Sequence, residues 1–316
     1  AHGHRELCRS FLRHQAHHPR RCQHHRRRPC HQGDHEPELR YQAINIMQLT
    51  GPAVTPPGLL LHSRKNCAIV IQYSVDGGLY MTTFETPNYI FHFQENSYAE
   101  HDILKIAKLQ QSCYNHICKV LKTTPDFKIE YFLCETPDEV GRIYGDNEPC
   151  NGFTSLPNKI YAVYNKDVQC IGFHEDAHII SYFINRPDCP AIREGLAMYF
   201  DRKWWGIQNL DWTSFFIKTN KFIPIYKLLD KETFFSSDCG FTYPIMGAFT
   251  DWLISVYGID KYLELYKYQN PVNALESIYK SPPNELNQLF VDYVKLFEID
   301  QALEQRMSDL MTEVSQ

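Results

Sequence analysis

Residues 174–200 read His-Glu-Asp-Ala-His-Ile-Ile-Ser-Tyr-Phe-Ile-Asn-Arg-Pro-Asp-Cys-Pro-Ala-Ile-Arg-Glu-Gly-Leu-Ala-Met-Tyr-Phe. On a helix, positions i and i+4 lie one above the other, so His174 and His178 can hold one metal ion from the same face. Glu175, one position round, reaches a water on that ion without being a ligand itself. A catalytic zinc usually takes three protein ligands and leaves one position open. Glu194 is the downstream candidate for the third. The competing reading is a core helix whose histidines are simply hydrogen-bonded, with Glu194 an acid favoured by a helix N-terminus.

The surroundings sharpen the pattern. Residues 167–184 contain no proline, and their one glycine, Gly172, precedes the motif. Val168, Ile171, Phe173, Ala177, Ile180 and Ile184 wrap this stretch, which predicts a buried helix over 167–184. Pro187 and Pro190 break it. A second helix is expected from Ala191 to about Trp204, with Glu194 in its first turn, where the chain has doubled back beside the histidines. Gly195 and Ala197 are small enough for two helices to pack closely. Asp176 and Asp201 are candidate hydrogen-bond partners for the histidines, or else exposed helix acids.

A histidine pair in His-Glu-x-x-His followed by Glu194-Gly195-Leu196-Ala197-Met198-Tyr199-Phe200 resembles the gluzincins, the thermolysin- and aminopeptidase-like metallopeptidases. Fifteen residues separate His178 from Glu194, toward the short end for that group. The likeness extends over roughly residues 85–300. It includes Tyr243-Pro244-Ile245-Met246-Gly247-Ala248-Phe249, opening a helix that runs to Tyr257-Gly258. The resemblance implies that Tyr243 stands opposite the metal and donates to an oxyanion; a core tyrosine is the other reading. Aminopeptidases of the group carry G-x-M-E-N upstream, whereas this chain has Cys150-Asn151-Gly152-Phe153-Thr154 with no glutamate there. The resemblance therefore implies an endopeptidase, with the strand Lys159–Tyr164 lying antiparallel to an extended substrate.

The chemistry expected of these residue types is zinc-dependent peptide hydrolysis. His174, His178 and Glu194 hold one zinc, and the fourth position takes a water made more acidic by the ion. Glu175 accepts a proton from that water and passes it to the leaving nitrogen. The partner is a peptide or protein substrate. The alternative is a non-catalytic binding protein that keeps zinc on an old peptidase fold; the intact Glu175 argues against it. No C-x-x-C pair suggests a closed structural zinc site.

Composition changes sharply along the chain. Positions 1–35 hold nine of the fifteen histidines and eight arginines, and the net charge is +6 over 1–80 against −11 over 81–316. Residues 1–80 are read either as a basic arm that binds nucleic acid, acidic surfaces or metal, or as sequence outside the working protein. The second is the expectation, with one domain over 81–316: a zinc site at 174–194 and a helical lobe over 205–316. The acidic remainder is a poor nucleic-acid binder. No secretory signal or membrane-length apolar run is seen. The irregularly spaced cysteines read as reduced, which predicts a cytoplasmic protein.

The coarse pattern is α+β. A hairpin is expected over 67–86, turned by Asp76-Gly77-Gly78. Strands follow at Tyr89–Phe93, Lys128–Cys134 and Lys159–Tyr164, with a long helix at Tyr98–Leu121 and a short one from Pro137. After Glu194 the pattern turns helical, apart from a loop expected over Phe234–Phe241. This predicts a small mixed sheet with helices, then a helical lobe, and the metal-binding helix between them.

Overall fold

The computed structural model describes residues 72–75, 79–145 and 147–314. Its first strands, β1 (Gln72–Val75) and β2 (Leu79–Glu85), pair antiparallel with Val75 opposite Leu79, as the hairpin reading expects. Met81 is the third residue of β2, so a domain boundary at residue 81 divides a strand of the sheet. The basic tract at 1–35 lies outside the described residues.

Next come β3 (Tyr89–Gln94), α1 (Tyr98–Leu121), β4 (Ile129–Cys134), α2 (Pro137–Tyr144), β5 (Gly152–Ser155) and β6 (Lys159–Val163). The six strands lie in the order β1-β2-β3-β4-β6-β5. β3, β4 and β6 run parallel, while β2 and β5 are antiparallel to their neighbours. α1 is the crossover between parallel β3 and β4, a connection that needs a helix-sized segment. Its start is sealed by Ser97, which accepts from Glu100 N, while Glu100 Oε2 accepts from Asn96 N at 2.6 Å. Ile106, Gln110, Cys113, Ile117 and Leu121 recur at three- and four-residue spacing and are buried.

One expectation about the sheet is corrected. The strand over 159–164 is β6, flanked by β4 on one side and β5 on the other, so its backbone is already paired. The terminal strand at that end of the described sheet is β5.

The helical lobe begins with α3 (His174–Tyr182) and α4 (Pro190–Asp201), then the small ribbon β7 (Lys203–Trp204) and β8 (Ile207–Gln208). After α5 (Asn209–Lys218) come α6 (Ile225–Leu228), α7 (Lys231–Ser236), α8 (Cys239–Tyr257) and α9 (Ile259–Tyr266). A 3-10 turn at Pro271–Ala274, then α10 (Leu275–Tyr279), α11 (Pro283–Val294) and α12 (Gln301–Val314), complete it. The architecture is α+β, a mixed sheet with helices followed by a mainly helical part.

Three local readings are corrected here. The motif helix begins at His174, not 167, because Asn165 Oδ1 accepts from Asp167 N and Val168 N in a tight turn and Gly172 adopts φ +133°. α4 starts at Pro190 and stops where Arg202 turns left-handed, which places Glu194 in its second turn and Trp204 in β7. The loop expected over 234–241 is largely helical, since Asp230 caps α7 through Thr233 N and Asp238 caps α8 through Gly240 N.

α4 and α8 cross with their backbones almost in contact. A Cβ on Gly195 would lie 2.6 Å from Thr250 Oγ1 and 2.9 Å from Met246 O, and one on Gly247 would lie 2.7 Å from Met198 Cβ. Gly195 thus serves close packing against α8 rather than against the histidine helix. A backbone carbonyl cannot swing away as a side chain can. Gly195→Ala is therefore expected to lower stability by about 1–3 kcal/mol, read as a reduced urea midpoint at unchanged slope. A midpoint equal to the wild type's would show that the crossing has slack.

No helix among the described residues is long and apolar enough to cross a membrane. Cys113, Cys118, Cys134, Cys170, Cys189 and Cys239 are free, while Cys150 is disulfide-bonded and departs from the all-reduced expectation.

Candidate metal centre

α3 presents His174 and His178 one turn apart, their ring centroids separated by 5.0 Å. α4 brings Glu194 against both: Glu194 Oε2 lies 3.1 Å from His178 Nε2 and 3.5 Å from His174 Nε2. His178 and Glu194 are buried, and His174 is partly exposed. These are the atoms that face a common point, and among the described residues they form the one such group with all ligand atoms within 4.8 Å. Two ligands each ~2.1 Å from a tetrahedral zinc would stand ~3.4 Å apart. The donor set, two imidazoles and a carboxylate, is also one that zinc accepts. The residues fit the ion.

Electrostatics agree with ligands waiting for a cation. Burial pushes the Glu194 carboxyl upward, but the His178 charge and hydrogen bonds from both histidines outweigh it and hold Glu194 well below the usual carboxylate range. Burial opposes a charge on His174, yet its hydrogen bonds to Asp201 and Glu194 keep its pKa well above the ordinary histidine value. A buried carboxylate facing two imidazoles is stabilised there by positive charge, which a divalent ion can also supply.

Behind the rings, His174 Nδ1 lies 2.9 Å from Asp201 Oδ2 and His178 Nδ1 lies 3.3 Å from the Tyr182 hydroxyl. Asp201 is thus brought to His174, as one sequence reading allowed. Tyr182 was not anticipated, although its i+4 spacing from His178 on the same helix face was the available signal.

Asp176 is neither exposed nor a partner of the histidines. It is fully buried, with Oδ2 2.5 Å from the Tyr89 hydroxyl on β3, and that hydroxyl also lies 3.0 Å from Gln110 O on α1. One phenol proton thus faces two acceptors, the Asp176 carboxyl and the Gln110 carbonyl. Burial raises the Asp176 pKa. Such a group stabilises the fold fully below the ordinary aspartate range, and its contribution is lost as pH rises through the raised folded-state value. Asp176→Asn keeps the shape without a charge, so its urea midpoint should gain on the wild type's as pH rises above the ordinary aspartate value of ~3.9. A pH-independent difference would contradict a buried carboxylic acid.

Gln110 adds a second clamp, donating through Nε2 to Gly172 O and accepting from Gly172 N at 2.8 Å. Together these contacts hold the start of α3 to the sheet and α1.

Glu175 is half-buried on the side of β5: its Oε1 lies 3.6 Å from where a Cβ on Gly152 would stand. Burial raises its pKa, partly offset by the charges of His174 and His178. Tyr243, on α8, is 2 % exposed, and its ring stacks 6.0 Å from that of His174. Burial, and then the nearby Glu194 charge, raise its pKa well above the ordinary phenol value. Trp204 and Phe234 flank the same ring at 5.6 and 6.0 Å. All five residues singled out from the sequence, His174, Glu175, His178, Glu194 and Tyr243, therefore converge on one place.

Compared with protein-family models, curated proteins and solved structures, the chain matches none.

Proposed function

We propose that the protein is a zinc-dependent peptidase of gluzincin type that cleaves within extended peptide or protein segments. The observation that carries this reading is the convergence of His174 Nε2, His178 Nε2 and Glu194 Oε2, with Glu175 beside them. A zinc ion held by those three residues supplies Lewis acidity and lowers the pKa of water toward neutrality. Glu175 then takes the proton of the attacking water and delivers it to the leaving nitrogen. Tyr243 stands against His174 and near the Glu194 charge, where its hydroxyl can turn to the developing oxyanion.

Substrate is held by β5. A terminal strand offers backbone groups for an added strand, and Gly152 lets that backbone pass close to Glu175. Six of the seven cysteines among the described residues are free thiols, which favours a reducing, cytoplasmic setting, with the Cys150 disulfide the exception.

Hydrolysis of an unfolded protein such as casein tests the reading, run with the wild type and Glu175→Gln at equal zinc content. A wild type that holds zinc and leaves every substrate intact would instead support the non-catalytic binding protein.

A further inference from the structure

The two histidines are alike in sequence but are held from behind by different chemistry. His174 Nδ1 faces the carboxylate of Asp201, an anionic acceptor, at 2.9 Å. His178 Nδ1 faces the neutral hydroxyl of Tyr182 at 3.3 Å. One helical turn separates His178 from Tyr182, and their rings stack 28° from parallel with centroids 5.5 Å apart. The Arg186 guanidinium carbon sits 5.5 Å from the centre of the Tyr182 ring, over its face.

If His178 Nε2 is to bind the ion of the reading above, its lone pair must be free and the ring proton must sit on Nδ1, so the imidazole donates and the phenol oxygen accepts. A histidine that donates from Nδ1 has its lone pair on Nε2. That is the nitrogen 3.1 Å from Glu194 Oε2.

We propose that Tyr182 is a positioning residue that fixes His178 in the tautomer with a free Nε2 and aims that nitrogen at the metal point. The inference rests on the zinc reading above and deepens it. A neutral phenol polarises an imidazole less than a carboxylate does, so the two histidines are unequal: His174 is the firmly supported ligand and His178 the more weakly supported one. Outer partners of this kind change metal affinity by about 10–100-fold. The Tyr182 hydroxyl belongs at the low end of that range and Asp201 higher in it.

The test uses the full chain, with zinc affinity measured by chelator competition and His178→Ala as the background for metal held elsewhere. Tyr182→Phe retains the stacked ring and removes only the oxygen. Tyr266→Phe is the matched control, since it deletes another buried hydroxyl, bonded to Ser181, that touches no ligand. We expect zinc to bind about 10-fold more weakly in Tyr182→Phe, more weakly still in Asp201→Asn, and unchanged in Tyr266→Phe. In the zinc-loaded protein, nitrogen-15 NMR should show two protected imidazole Nδ1–H protons. Tyr182→Phe should lose that of His178 and keep that of His174.

Unchanged affinity and both protons retained in Tyr182→Phe would overturn the positioning role while leaving the metal centre standing. An equal loss in Tyr266→Phe would also overturn it, because packing alone would then be responsible. A wild type with no zinc above the His178→Ala background would remove the metal reading itself, and this inference with it.

Discussion

Glu175→Gln is expected to abolish peptide hydrolysis, with a loss of at least about 10²–10⁴-fold, while zinc content stays at the wild-type level. The amide matches the carboxylate in size and hydrogen-bonding reach but cannot take a proton from water. None of the three converging ligand atoms belongs to residue 175, so the metal point is left untouched. Stability separates lost chemistry from lost fold. Burial disfavours the Glu175 carboxylate, as its raised pKa records, so replacing it by a neutral isostere removes a penalty. The variant should melt no lower than the wild type. Substantial hydrolysis by a zinc-loaded Glu175→Gln enzyme would sink the proposed mechanism, because another group would then be the base.

Glu194→Ala is expected to lose the metal. The residue is 4 % exposed and its Oε2 is the atom that both histidine Nε2 atoms approach. Deleting it leaves two imidazoles and no anion. Outer partners alone shift metal affinity by about 10–100-fold, so loss of a direct ligand should exceed about 100-fold. Metal-free protein should suffer too. A carboxylate held well below its ordinary pKa contributes stability that is present above the unfolded value, ~4.3, and lost as pH falls through the folded one. The metal-free variant should therefore be less stable than metal-free wild type near neutrality, with the gap closing in acid. Zinc per chain by atomic emission, taken over the His178→Ala background, decides the first point. A Glu194→Ala protein with wild-type affinity would mean the centre is not built from these three groups.

Much of this was legible because its signals are local. α1 announces itself by a capping serine, a matching glutamate and an apolar stripe over 24 residues. His174 and His178 lie one turn apart on any helix. Other features depend on distant partners or on single backbone angles. The motif helix looked longer because apolar residues continue upstream, yet a side-chain turn at Asn165 and the φ of Gly172 end the helix before composition does. Asp176 resembled a surface acid since its partners, Tyr89 and Gln110, sit on β3 and α1 far back in the chain. Nor could composition say which of two short strands would finish outermost: the stretch at 159–163 is the more apolar, and being flanked on both sides suits it. α7 is only six residues long, so its fate rested on one aspartate at its start.

The metal point is assembled from two separately fastened pieces. The histidines ride on α3, tied to the sheet and α1 through Asp176–Tyr89 and Gln110–Gly172. Glu194 and Tyr243 ride on α4 and α8, joined to each other at Gly195 and Gly247. The gap a bound ion would bridge is therefore a mechanical span between two anchored bodies, set by seams that adjoin the ligands but hold no ion themselves. A methyl group at Gly195 would push on that span as well as on the core, and a bound ion would act as a rivet across it. Tightness of grip and firmness of the whole are then one adjustable quantity, with the glycine seam as its setting screw.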